Sequence, residues 1–157
     1  MLIYFAGPLF SQSERTFNQR LTERLEGFQF AVFLPQRDGL ESKPHHNVMT
    51  EDERSLATFL LDRDKILEAD IFLFVLDGRV PDEGACVELG IAYGQRHLQH
   101  RDKFLVGLQT DLRAAFLTSK LNLMISVPLD YVADNEDDLL RALEMYRQSS
   151  LPKREVS

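Results

Sequence analysis

Leu2 to Ala6 is an unbroken apolar run that stops at Gly7-Pro8, the pattern of a buried strand closed by a turn. From Ser13 to Gly27 the period lengthens: Phe17, Leu21 and Leu25 recur every fourth residue and line one helical face, with Gly27 as the stop. Phe30 to Leu34 reads as a second strand, ended by Pro35, and the polar stretch from Gln36 to Thr50 as a long mobile loop. Thr50 with Glu53 three residues later is a capping box, predicting a helix to Glu68 with Leu56, Phe59, Leu60, Ile66 and Leu67 facing inward. Ile71 to Leu76 carries the strongest strand signal of the chain and stops at Asp77-Gly78. A helix from Glu83 to Leu98, a strand from Phe104 to Leu108 and a short helix near Leu112 to Leu117 follow. Ile125 to Val127 reads as the last strand, and Asn135 to Arg147 as the last helix.

Strands that alternate with helices predict an α/β fold, a parallel sheet wrapped on both faces. The pattern forms one domain over residues 1–148, followed by a polar tail over 149–157. Ligands of such sheets sit beyond the carboxyl ends of the strands. That rule singles out Gly7-Pro8, Gln36 to Asp38, Asp77 to Gly84 and the segment after Leu108.

Composition narrows the partners. A hydrophobic fraction of 44% with 27% charged residues is that of a folded globular chain. The formal charge of −7, with basic residues scattered, opposes binding to nucleic acid and favours a small ligand. The opening MLIYFAGP lacks a leader pattern and no run approaches a membrane span, so the expected location is the cytoplasm. One cysteine, Cys86, allows no internal disulfide and reads as a packing residue. His45-His46 suggests a metal, but no further His or Cys completes a ligand set, and no phosphate-binding glycine pattern is present. Neither a metal nor a cofactor is expected.

The most informative stretch is Pro81-Asp82-Glu83-Gly84-Ala85-Cys86-Val87-Glu88-Leu89-Gly90, where the central strand hands over to a helix. Glu88 falls in the first turns of that helix among small neighbours that let a ligand approach, and the helix's positive end favours an ionised carboxylate. By position alone a surface glutamate on an amphipathic helix is an equally good reading. Asp64 reads as a solvent-facing helix residue, Asp70 as a strand-start polar residue and Tyr4 as partly core; loop polarity alone accounts for Gln36 and Asp38.

Taken in order, Tyr4-Phe5-Ala6-Gly7-Pro8-Leu9-Phe10, Asp64, Asp82 with Glu88, and Asn122-Leu123-Met124 resemble the nucleoside 2-deoxyribosyltransferase family over residues 2 to about 130. The Asp-x-Gly-x(3)-Glu-x-Gly spacing of Asp82, Gly84, Glu88 and Gly90 is its most specific piece. The resemblance implies a flavodoxin-like fold with a doubly wound, five-stranded parallel sheet, and cofactor-free exchange of 2-deoxyribose between nucleobases by double displacement. Glu88 would be the nucleophile, Tyr4 the residue that orients it, and Asp82 and Asp64 the acids at the base end. Gly7, Pro8, Phe10, Gln36, Asp38 and Gly84 would line the substrate. Asn122 and Met124 would close the sugar pocket of a neighbouring subunit, which implies a homo-oligomer with shared sites acting in nucleotide salvage on 2'-deoxynucleosides and free purine or pyrimidine bases. The chemistry suits these residue types: a carboxylate traps the cation that builds on the sugar, a second acid protonates the departing base, and two inversions give retention. Two rivals remain, an N-glycosidase of deoxynucleoside 5'-monophosphates using Ser11, Ser13 and Arg15 as phosphate donors, and a non-catalytic nucleotide-sensing module.

Overall fold

A computed structural model of the chain describes residues 1–40, 48–111 and 121–150. Its framework is a five-stranded, all-parallel sheet in the order β2-β1-β3-β4-β5. The strands are β1 (Leu2–Ala6), β2 (Ala31–Phe33), β3 (Ile71–Val75), β4 (Phe104–Leu108) and β5 (Tyr131–Ala133). Among them run α1 (Gln12–Gly27), the short α2 (Pro35–Asp38), α3 (Glu51–Glu68), α4 (Glu83–Gln99), the short α5 (Leu123–Ser126) and α6 (Glu136–Ser150). This is the flavodoxin-like order, whose switch point lies between β1 and β3.

The period of two in the strands sorts the core into two layers. Ile3, Phe5, Leu73 and Val75 pack with Leu21 and Leu25 of α1 and Leu139 and Leu143 of α6. Tyr4, Phe72 and Phe74 pack on the other face with Ile66 of α3 and Ala85 and Leu89 of α4. With both faces covered, β3 is buried at all five positions, which is why its sequence is a continuous apolar run.

Two capping boxes set the helix starts. Ser11 caps α1 with Glu14, two residues ahead of the start expected at Ser13, and Thr50 caps α3 with Glu53 as expected. Other expectations need correction. Ile125 to Val127 is no strand: Ile125 and Ser126 belong to α5, which Asn122 caps, and Val127 follows it. The fifth strand is Tyr131–Ala133, led in by Asp130, whose carboxylate accepts from Leu105 N at 2.9 Å. Three apolar residues are too few for periodicity to separate strand from helix. Leu56 and Phe59 are exposed rather than inward, at 60% and 53%. The stretch after β2 begins with the helical turn α2 rather than a loop. The helix expected near Leu112 to Leu117, and residues 41–47 with His45-His46, lie outside the described residues.

Gly7 ends β1 with φ +151°, and a Cβ there would stand 2.9 Å from Val75 Cβ and 3.1 Å from its carbonyl oxygen. Only glycine meets both constraints. Gly7→Ala is expected to cost about 2–4 kcal/mol. Gly27→Ala, where a Cβ meets nothing within 4 Å, should change stability by less than about 0.5 kcal/mol. Urea denaturation of both variants checks the contrast.

Candidate active site

The site is built from the middle of β1 outward. Tyr4 is opposite Phe33 of β2 and Phe72 of β3 in the sheet register, so three aromatic rings form one row across neighbouring strands. The Tyr4 ring stacks on both, with centroids 5.7 and 5.8 Å away. Held between them, its hydroxyl donates to Glu88 Oε1 at 2.7 Å. Glu88 reaches this point because α4 begins just past β3, with Asp82 as its N-cap accepting from Ala85 N at 2.9 Å.

A cleft of about 790 Å³ opens between α3 and α4 over this pair. Helix α3 lends Arg54, Thr58 and Asp62 to it, and α4 lends Gly84 and Glu88. A Cβ on Gly84 would stand 3.2 Å from Asp82 Oδ1, between the cleft and the α4 cap. Burial pushes the Glu88 carboxyl up to about 7; the Asp62 and Asp82 charges push the same way, and the Tyr4 hydrogen bond opposes them. Burial first, then the Glu88 charge, drives the Tyr4 hydroxyl far above its ordinary value, so it remains a donor throughout the working range. Burial thus opposes the ionised form that the positive end of α4 favours. Burial, with Asp82 and Glu83 nearby, also raises the Cys86 thiol, which disfavours the nucleophilic thiolate.

The structure brings Tyr4, Glu88, Asp82 and Gly84 together and places Gly7-Pro8 at the carboxyl end of β1. It does not bring Asp64: that residue is exposed and paired with Arg63 at 2.6 Å. Asp62 takes its place on the cleft side, and sequence reasoning missed it. The signal was available. Ile66 reads as inward, and four residues back on a helix is the same face, whereas Asp64 is more than a quarter-turn off it. Phe10 and Gln36 line a different groove, on the α1 side, with Arg15 and Arg37. Gln36 bridges Asn18 and the Arg15 carbonyl there. Asp38 accepts from Leu34 N at 2.8 Å and from Arg37, which ties up both its oxygens in the α2 turn. Asn122 accepts from Met124 N at 2.9 Å to cap α5, and Met124 is 81% exposed outside the cleft of its own chain. Among the described residues no group of three or more His, Cys, Asp or Glu stands ready to hold a metal. Nor is any described helix long and apolar enough to cross a membrane.

The sheet thus carries a buried tyrosine bonded to a half-buried glutamate at a cleft that Asp62 also lines, with Asp82 capping the helix that bears the glutamate. Residues 3–140 match the family model for nucleoside 2-deoxyribosyltransferase, and the chain belongs to that family. A conserved protein from Enterococcus faecalis V583 superposes with a TM-score of 0.73 at 26% identity, over 93% of this chain and 98% of that one. A 2-deoxyribosyltransferase from the psychrotolerant bacterium Bacillus psychrosaccharolyticus has the same fold, with a TM-score of 0.70 at 22% identity over 88% of this chain and 90% of that one. Comparison with curated proteins returns no match.

Glu88 has a stability signature. Its folded value, raised from 4.5 to about 7, means that stability is full below about 4.5 and is lost as pH rises through about 7. Glu88→Gln removes the ionising group. The variant is expected to be more stable than the parent at pH 8 by on the order of 1–3 kcal/mol, with the gap closing at pH 4.5. Thermal or urea unfolding at the two pH values reads this directly.

Proposed function

We propose that the protein exchanges 2-deoxyribose between nucleobases, with Glu88 as nucleophile. A Glu88 carboxylate oxygen bonds to C1' as the C1'–N bond breaks, and the bonding pair leaves on the base nitrogen, which takes a proton from an acid. An incoming base then attacks C1', the glycosyl–carboxylate bond breaks, and configuration is retained overall. The observation that carries this reading is the 2.7 Å bond from Tyr4 to a half-buried Glu88 at a cleft shared with Asp62. Tyr4 leaves Glu88 Oε2 free of that bond and aimed by the other oxygen's anchor. Asp62 and Asp82 act at the base end, and Asp64 has no part.

Transfer is preferred to the monophosphate hydrolase because Arg15, nominated for a 5'-phosphate, lines the α1-side groove and not the cleft that holds Glu88. A pure sensor has no use for a carboxyl held poised near neutrality. Exposed Leu123, Met124 and Val127 beside Asn122 support completion of the site by a second copy in a homo-oligomer. A role in cytoplasmic salvage of purines or pyrimidines follows from the same reading.

Incubation with a deoxynucleoside and a second free base, followed by chromatography, tests the proposal. The new deoxynucleoside should appear and Glu88→Ala should reduce its formation by about a thousandfold or more. Asp62→Asn should lose about a hundredfold while Asp64→Asn stays near the parent rate. Release of only base and deoxyribose, whatever acceptor is present, or preference for the 5'-monophosphate, would replace transfer by hydrolysis.

The pH dependence follows from the same group. kcat/KM is expected to rise with pH through about 7 as Glu88 ionises. In Tyr4→Phe, which loses the bond favouring the ionised form, that rise should move to higher pH. A pH–rate series on parent and variant checks both position and direction.

A further inference from the structure

Helix α3 ends in an unusual way. Its last turn holds a lysine, Lys65, but that side chain pairs with Glu68 at 2.6 Å instead of capping carbonyls. The four terminal carbonyls nevertheless all have donors. Lys65 O accepts from Ala69 N at 3.0 Å. Ile66 O accepts from Lys103 Nζ. Leu67 O accepts from Gln95 Nε2 at 3.0 Å and from Arg101 at 2.6 Å, and Glu68 O accepts from the other Arg101 nitrogen at 2.8 Å. Three of the four thus depend on α4 or on the segment that follows it. His100 closes α4 in the left-handed conformation, φ 51°, and this turn swings Arg101 and Lys103 beneath α3.

Two of these side chains are buried where polar groups are seldom left. Lys103 is 2% exposed and Gln95 8%. Among the described residues Gln95 Oε1 is buried with no hydrogen-bond partner, so this glutamine is a poor core residue held for its donor. Its place on α4 is informative. Gln95 lies seven residues, two helical turns, beyond Glu88 and shares its face; Ile66 lies one turn beyond Asp62 and shares that face. The two helices are tied at their lower ends, and the cleft opens between the same faces above.

We propose that Gln95, Arg101 and Lys103 are positioning residues for the reaction: their grip on the end of α3 fixes its axial register against α4 and so sets the spacing of Asp62 from Glu88. The inference rests on the transfer reading above. None of the three lines the cleft. Around Glu88 the charged and titratable groups are Tyr4 from β1, Asp62, Arg54, Arg63 and Glu51 from α3, and Asp82 at the head of α4. Around Lys103 they include Arg101 and Asp70, with Arg96, His100, Asp102, Asp130 and Tyr146 lining the same groove. Slackening the clamp lets α3 slide or lift, which admits water to Glu88 and moves the Asp62 charge away. Both changes lower the pH at which Glu88 ionises.

The test uses the full chain with Gln95→Met and Lys103→Met, and Leu143→Ala in the opposite core layer as a destabilised control. Glu88 is titrated by carboxyl carbon-13 NMR, assigned with Glu88→Gln, and transfer kinetics are measured in parallel. Gln95→Met should retain the parent's melting temperature, since it removes an unpartnered buried oxygen and Leu67 O keeps Arg101. Its Glu88 midpoint should fall from about 7 toward the ordinary glutamate range. Its kcat should drop about ten- to a hundredfold with KM changed less than about twofold. Leu143→Ala should melt lower with the midpoint unmoved. An unmoved midpoint in Gln95→Met overturns the proposal and leaves a helix cap of structural value only; if Lys103→Met fails to fold, Gln95→Met decides alone. Should the parent show no transfer, the functional reading fails, while the titration still decides whether the clamp sets the Glu88 environment.

Discussion

The site depends on one hydrogen bond, from Tyr4 to Glu88, and that bond depends on the sheet. A tyrosine in the middle of a central strand has its ring fixed by its neighbours on either side. Here parallel register puts Phe33 and Phe72 flat against it. Stacking of this kind contributes about 0.5–1.5 kcal/mol per pair beyond area burial, and it leaves the hydroxyl a single direction. The glutamate is thus aimed by the most rigid part of the molecule rather than by a loop. Gly7 lets the chain leave β1 close against Val75, where a Cβ would stand 2.9 Å from Val75 Cβ.

Glu88 sits in an electrostatic balance that suits a carboxyl meeting a cation. Water is removed from it, and Asp62 and Asp82 add negative charge around it; only Tyr4 favours the ionised form. In the free protein these effects leave the carboxyl divided between its two states near neutrality. In the proposed transfer, a sugar that develops positive charge at C1' would reverse this balance. The nearby negative charges would then stabilise the transition state, and the low dielectric that disfavours an isolated carboxylate would strengthen its attraction to the cation.

Most of the fold was legible in the sequence because the sheet is covered on both sides. Continuous apolar runs at Leu2 to Ala6, Ile71 to Leu76 and Phe104 to Leu108, each too short to span a membrane as a helix, read as strands buried on both faces. The last strand was not legible. Tyr131-Val132-Ala133 is short and partly exposed at the sheet's edge, so it carries little pattern, while Ile125 to Val127 offered a more apolar run at a capped helical turn. Outward Leu56 and Phe59 defeat helical periodicity in the same way, since α3 presents apolar residues to both sheet and surface. Glu88 was open to two readings by position, and only the resemblance, through its spacing to Asp82, singled it out as the nucleophile candidate. Its carboxylate neighbour was displaced by two positions, because motif resemblance placed it at Asp64 where helical phase required Asp62.

The two core layers divide the work. On the α1 and α6 side the sheet meets an apolar core of aliphatic residues with Phe5 and Phe30, closed over by Arg20 and Arg24 reaching Glu136 between the helices. On the α3 and α4 side the layer holds a tyrosine hydroxyl bonded to a carboxyl, and a lysine and a glutamine that donate to backbone carbonyls at the end of α3, each costly to bury. In the first layer large-to-small changes carry the usual cavity cost. The second layer exchanges part of its stability for groups held in fixed mutual positions. That asymmetry explains why Glu88, the residue whose loss should end activity, is also one whose neutral replacement should stabilise the fold above neutral pH.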